Sequence, residues 1–229
     1  MGVLQCNCSV VFNTKTLECV VVDPGEEASY IIELVKAHQL KVKALWHTHA
    51  HLDHIGGTAT LWNHCKKLNL ENNSEAPKIF LYKEDLWLYN NVGIQASMIG
   101  LNSFDVIAPT DLLSGNTQIV FKEAESFLTP GHTPGSACLK IDALCDFEAP
   151  QEFFSTKKAP TTKALFTGDT LFRRGIGRTD LWGGSFETIE KSIRNKIYTL
   201  KDEYLVIPGH GPFTTLEEER EKNPFVSMS

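Results

Sequence analysis

Between Trp46 and Ile55 the chain reads His47-Thr48-His49-Ala50-His51-Leu52-Asp53-His54, four imidazoles and one carboxylate within eight residues. A lone histidine is ordinarily a capped or surface side chain. A His-x-His-x-Asp-His string instead concentrates the nitrogen and oxygen donors that hold divalent transition metals. Alternate residues of an extended loop point the same way, so His49 and His51 can face one ion. Asp53 and His54, at the turn into the next helix, can then face a neighbouring one. Three later segments each place a ligand type on a tight turn after a strand: Pro130-Gly131-His132-Thr133-Pro134-Gly135, Thr167-Gly168-Asp169-Thr170 and Pro208-Gly209-His210-Gly211-Pro212. Taken singly, such turns are ordinary loops. Together with the first string they complete a set of seven: His49, His51, Asp53, His54, His132, Asp169 and His210. His38, late in a helix, His64, on a polar helix face, and His47, at a strand end, are read as structural and left outside it.

The elements that must carry these residues follow from periodicity. Ser9 to Phe12 and Glu18 to Val22 read as a strand hairpin, the second strand β-branched and stopped by Asp23-Pro24-Gly25. Ala28, Ile31, Ile32 and Val35 recur at helical spacing with Glu26 and Glu27 expected in the first turn, and a strand follows at Val42 to Trp46. Leu61, Cys65 and Leu68 mark another helix, Asn69 to Pro77 a polar loop, and Lys78 to Leu81 a strand. In the second half strands are expected at Ile119 to Phe121, Ser126 to Leu128, Ala137 to Ile141, Ala164 to Thr167 and Tyr204 to Ile207. Phe186, Ile189, Ile193, Ile197 and Leu200 share one face of a helix with Ser185 as N-cap. Residues 143–163 are polar, contain proline and lack periodicity, and read as a loop excursion between two strands. Strands followed by helices in both halves suit two packed sheets with helices outside, an α/β class.

At 229 residues, 42% hydrophobic and 22% charged, the chain has the size of one large domain, and a single domain over 1–229 is expected. A formal charge of −6 argues against wide nucleic-acid contact, which needs clustered Lys and Arg, and favours a small-molecule substrate. The start at Met1 to Val11 has neither the basic residues nor the apolar run of a secretory signal. Cys6 stands where Gly2 myristoylation would want Ser or Thr. No apolar stretch nears the roughly 20 residues that span a bilayer. A cytoplasmic location, with no membrane partner, is the expectation. The six cysteines, Cys6, Cys8, Cys19, Cys65, Cys138 and Cys145, lack a CxxC pair and are read as free thiols.

With these residues in view, the chain resembles hydrolases of the metallo-β-lactamase fold, a four-layer αββα sandwich. It is most similar to the short bacterial-type glyoxalase II proteins, the hydroxyacylglutathione hydrolases. Beyond the seven positions, the likeness includes Asp23-Pro24-Gly25, Lys83 to Leu101, Gly168-Asp169-Thr170-Leu171-Phe172 and Ile207 through Phe225. The resemblance implies that His49, His51 and His132 hold one ion, that Asp53, His54 and His210 hold a second, and that Asp169 bridges them. Zinc is the first expectation, with iron and manganese as alternatives. Two such ions about 3.5 to 4 Å apart share a water and lower its pKa to about 7, making hydroxide without a side-chain base. Asp53 and Asp169 would offset the charge, and a free oxygen of Asp53 would orient the hydroxide.

The implied reaction is hydrolysis of a hydroxyacyl thioester such as S-lactoylglutathione. A thiol with pKa near 8.5 departs as thiolate without a general acid, whereas a β-lactam nitrogen needs a proton. Arg173, Arg174, Arg178 and Lys83 are expected to pair with carboxylates of a peptide-like substrate. Gly177-Arg178-Thr179-Asp180 also resembles the persulfide dioxygenases, which bind one iron through two histidines and an aspartate, here His49, His132 and Asp169. A third reading is a non-enzymatic binding protein on the same fold.

Overall fold

The computed structural model describes residues 2, 4–72, 74–101, 105–154 and 161–228. The chain forms two compact units, Met1–Leu113 and Ser114–Ser229.

In the first unit, β1 (Ser9–Phe12) and β2 (Glu18–Val22) form the expected antiparallel hairpin. The sheet then grows by parallel addition of β3 (Lys41–Trp46), β4 (Lys78–Tyr82) and β5 (Asp111–Leu113), in the order β1-β2-β3-β4-β5. Parallel neighbours need crossovers. The helix α1 (Ala28–Ala37) supplies the first, the short α2 (Leu52–Ile55) and α3 (Thr58–Glu71) the second, and α4 (Leu86–Asn90) and α5 (Val92–Met98) the third. Ile31 and Val35 of α1 pack with Leu61 and Cys65 of α3 against Val21, Val42, Leu45 and Ile79 in one apolar core. Each fully buried aliphatic side chain contributes about 1.5–3 kcal/mol. Glu26 and Glu27 lie just ahead of α1, with Glu27 at its N-cap, so neither occupies the first turn as expected. Asn69 extends α3 past the expected loop start because its amide donates to Val42 O and Glu75 O.

The second unit holds a six-stranded sheet ordered β13-β12-β9-β8-β7-β6. Its strands are β6 (Thr117–Gln118), β7 (Ala124–Leu128), β8 (Ala137–Asp146), β9 (Thr161–Gly168), β12 (Tyr204–Pro208) and β13 (Thr214–Thr215), with a separate hairpin of β10 (Leu171–Phe172) and β11 (Gly175–Ile176). Ile119–Phe121 is not the expected strand. It forms the turn between β6 and β7, where Val120 takes a φ of 44°. The strands β8 and β9 run further into the 143–163 segment than their periodicity indicated, because Cys145 pairs with Thr162 and Asp146 with Thr161. Residues 155–160 of that segment lie outside the described residues. The helix α6 (Phe186–Ser192) starts at Ser185, whose hydroxyl accepts from Thr188 N, and passes into a π-helical turn at Ile193–Ile197 that keeps Ile189, Ile193 and Ile197 buried. Phe186 is exposed rather than on the buried face. The helix α7 (Leu216–Lys222) closes the unit. Among the described residues no helix is long and apolar enough to cross a membrane.

Candidate metal centre

In the first unit the parallel register decides which residues meet. Val22 pairs with Trp46 and Trp46 with Phe80, so β2, β3 and β4 end at one edge of the sheet. The segments that follow them therefore emerge side by side, where parallel sheets ordinarily bind ligands. Asp23 follows β2, His47 to His54 follow β3, and Asp85 follows β4. Asp23 N donates to Trp46 O, and Gly57 N to Pro24 O. Gly57 must be glycine: a Cβ there would sit 2.0 Å from Gly25 O.

Hydrogen-bond logic then sets the protons on the imidazoles. Asp23 Oδ1 accepts Thr48 N–H at 2.8 Å, and Asp23 Oδ2 accepts the Thr48 hydroxyl at 2.7 Å and His54 Nδ1 at 2.9 Å. A carboxylate only accepts, so His54 is protonated at Nδ1 and carries its lone pair on Nε2. The Thr48 hydroxyl has spent its proton on Asp23, so it accepts from His49 Nδ1 at 3.0 Å and leaves His49 with a lone pair on Nε2. That atom lies 3.0 Å from His51 Nδ1, and His54 Nε2 lies 3.6 Å from Asp53 Oδ2. Donors about 2.0–2.1 Å from a tetrahedral ion sit roughly 3.3 Å from each other, so both spacings suit metal ligation. The loop thus brings His49 to His51, as the alternation argued from sequence implies, and Asp53 to His54 at its turn into α2.

Two side chains hold the loop itself. Asp85, fully buried, accepts Ala50 N at 3.0 Å. Gln95 of α5 accepts Leu52 N at 2.9 Å and donates to Ala50 O at 3.0 Å and Leu88 O at 3.1 Å. Cys6 Sγ lies 3.5 Å from His54 Nδ1, and burial pushes its thiol up to about 11 against the lowering influence of His54. His47 is engaged at both nitrogens, with Phe80 O at 3.0 Å and Thr58 Oγ1 at 2.8 Å. Burial holds its pKa below the usual imidazole value, as befits a structural residue.

In the second unit β9 and β12 run parallel with Pro208 opposite Gly168, so Asp169 and His210 emerge together, tied by Gly209 N to Gly168 O at 2.8 Å. The antiparallel β8 starts at that same edge and brings the turn bearing His132. Asp169 Oδ2 lies 3.6 Å from His132 Nε2 and 3.7 Å from His210 Nε2, between the two imidazoles. His132 Nδ1 meets the Arg178 carbonyl at 2.8 Å and must donate to it, which again leaves the lone pair on Nε2. Gly177 lies against both residues: a Cβ there would be 1.8 Å from Asp169 O and 3.0 Å from His132 Nδ1.

Of the expected substrate contacts, Arg173 and Lys83 are exposed. Arg178 is exposed and forms a bidentate pair with Asp180, whose carboxyl that pair holds down near 2. The Arg174 guanidinium is instead taken up by Glu218 and the buried Glu219, which gives it a structural task. None of the six cysteines is in a disulfide. The sequence reading did not single out Thr48, Asp85, Gln95 or the Arg178 carbonyl for positioning work. Asp23 stood out as a strand stop and as part of the Asp23-Pro24-Gly25 likeness, neither of which assigned it to the imidazoles.

The family model of the metallo-beta-lactamase superfamily matches residues 1–145 and 158–210. A hydroxyacylglutathione hydrolase GloC of Haemophilus influenzae is 32% identical over 97% of this chain and 93% of its own length. Among solved structures, TTHA1623 in a di-iron-bound form is 29% identical with a TM-score of 0.77, covering 98% of this chain and 97% of its own. The BLEG-1 B3 metallo-beta-lactamase is 31% identical with a TM-score of 0.72, covering 99% and 96%. With its α/β sheets, its His and Asp donor clusters and a family match over most of its length, the chain belongs to the metallo-β-lactamase superfamily and has the metallo-β-lactamase fold.

Proposed function

We propose that the two donor sets form one dinuclear centre and that the chain is a hydrolase of hydroxyacyl thioesters, with S-lactoylglutathione as the representative substrate. The observation that carries this reading is the Asp169 carboxylate lying between two imidazoles, as a ligand shared by two ions would. The similarity to the GloC hydroxyacylglutathione hydrolase supports the substrate class, and the di-iron form of TTHA1623 supports an ion pair. His49, His51 and His132 would hold one ion, Asp53, His54 and His210 the other, and zinc, iron and manganese all suit such donors.

When bound, the ions supply a nucleophilic water at neutral pH and stabilise the oxyanion of the attacked carbonyl. The chain's own residues do the rest. Asp23 and Thr48 keep the Nδ1 protons on His54 and His49, and the Arg178 carbonyl keeps that of His132, so the lone pairs face the ions. Asp53 and Asp169 offset the positive charge, and the second oxygen of Asp53 orients the attacking water. A thiolate leaves without a general acid, so none is required. Arg173, Arg178 and Lys83 are the candidate partners for substrate carboxylates.

The test is metal content per chain measured with three activities. About two ions and cleavage of S-lactoylglutathione support the reading. One iron with oxygen uptake on glutathione persulfide replaces it with a dioxygenase. Cleavage of a β-lactam, in line with the likeness to BLEG-1, replaces the substrate class, and no activity at all points to a binding protein.

A further inference from the structure

The break in the family match, between residues 145 and 158, falls on a segment whose described part returns to the turn bearing His210. After β8 the chain makes a single 3-10 turn at Gln151–Phe153, and Phe153 O accepts the backbone N–H of Phe213 at 3.1 Å. The Phe213 ring packs against the rings of Phe153 and Phe154, with centroids 5.2 Å and 5.5 Å away. Phe213 stands three residues beyond His210. The turn between is therefore held at both ends, by Gly209 N on Gly168 O and by Phe213 on the 151–154 segment.

His210 needs such support more than its neighbour does. Its side chain is 29% exposed against 2% for His132, so packing alone fixes it less well. Phe153 and Phe154 are half-buried and Phe213 is buried, and the cluster around Leu165, Ile189 and Val206 is built from other residues. The aromatic cluster thus joins the 151–154 segment to the end of the His210 turn.

We propose that Phe153 and Phe154 are positioning residues: they form a strut, contributed from the break in the family-matched sequence, that holds His210 Nε2 against Asp169. The inference rests on reading His210 as a metal ligand. Aromatic rings at these separations attract beyond simple burial, and losing a group that orients a metal ligand typically costs about 10- to 100-fold in metal affinity.

The test uses the full chain with Phe153→Ala and Phe154→Ala combined, and Phe153→Leu with Phe154→Leu as the conservative pair. Hydrogen exchange of the metal-free protein reads the amides of Gly209, His210, Gly211 and Phe213, and chelator competition reads zinc affinity site by site. The alanine pair is expected to speed exchange at the turn and weaken one zinc site about tenfold, with the other site unchanged. The leucine pair should restore both readouts. Unchanged exchange, unchanged zinc affinity, or equal weakening of both sites together with a lower metal-free melting temperature each overturns the strut. A wild-type chain that binds two zinc ions without cleaving a thioester overturns the proposed function and leaves the strut standing.

Discussion

His54 Nδ1 and Asp23 Oδ2 lie 2.9 Å apart in a buried pair separated by 31 residues of sequence, and the same carboxylate reaches His49 through the Thr48 hydroxyl. One side chain thereby orients two imidazoles. Asp23→Ala should lower metal affinity 10- to 100-fold. It should also destabilise the fold by about 1–3 kcal/mol, since Thr48 N–H and His54 lose their buried acceptor. Chelator competition and thermal melting measure the two effects. Wild-type metal affinity in this variant would remove Asp23 from the site.

Asp169 lies between His132 and His210, so its loss is expected to reach both ions. Asp169→Ala should carry at least one ion fewer per chain and lose nearly all turnover. Metal analysis beside a thioester assay decides this, and undiminished activity would refute the assignment.

Gln95 accepts from Leu52 and donates to Ala50, on either side of His51. Gln95→Ala should leave the sheet intact and reduce kcat/KM about 10- to 100-fold. Gln95→Glu should not rescue it, because a carboxylate turned toward the carbonyls of Ala50 and Leu88 has no proton to give. Circular dichroism alongside kinetics separates this from unfolding.

Metal removal should lower the melting temperature as well as abolish activity. An ion present at about 1,000 times its dissociation constant adds about 4 kcal/mol to stability. Melting with and without a chelator tests the link, and identical curves would mean that the donors are not occupied by metal.

Thiol labelling tests the burial of the cysteines. Cys19, Cys65 and Cys138 are buried and pushed up to about 12 by that burial, so at pH 8 they should stay unmodified in the native chain. The partly exposed Cys145 should react first, and all six should react in denaturant. Prompt native labelling of Cys138 would contradict the packing of β8.

Much of the scaffold was legible in the residues. The limits of β1 and β2 coincide with their expected spans, since β-branched runs ending at Asp-Pro-Gly have little other choice. Ser185 caps α6 as its position before the periodic run implied. The misses have a common cause. Ile119–Phe121 has strand composition but serves as a turn because its neighbours pair around it. Cys145 and Asp146 lack strand periodicity but are held in β8 by partners on β9.

The sequence alone determined the inventory: seven imidazoles and carboxylates on turns after strands, and an acidic chain without a basic tract. Which nitrogen of His49, His54 and His132 holds the proton was decided only by tertiary structure, as was the pairing of Arg174 with Glu218 and Glu219 rather than with a substrate. The reason is physical. Those partners lie 31 residues away for His54, 46 for His132 and 45 for the Arg174–Glu219 pair, and only the register of neighbouring strands brings them within hydrogen-bonding reach.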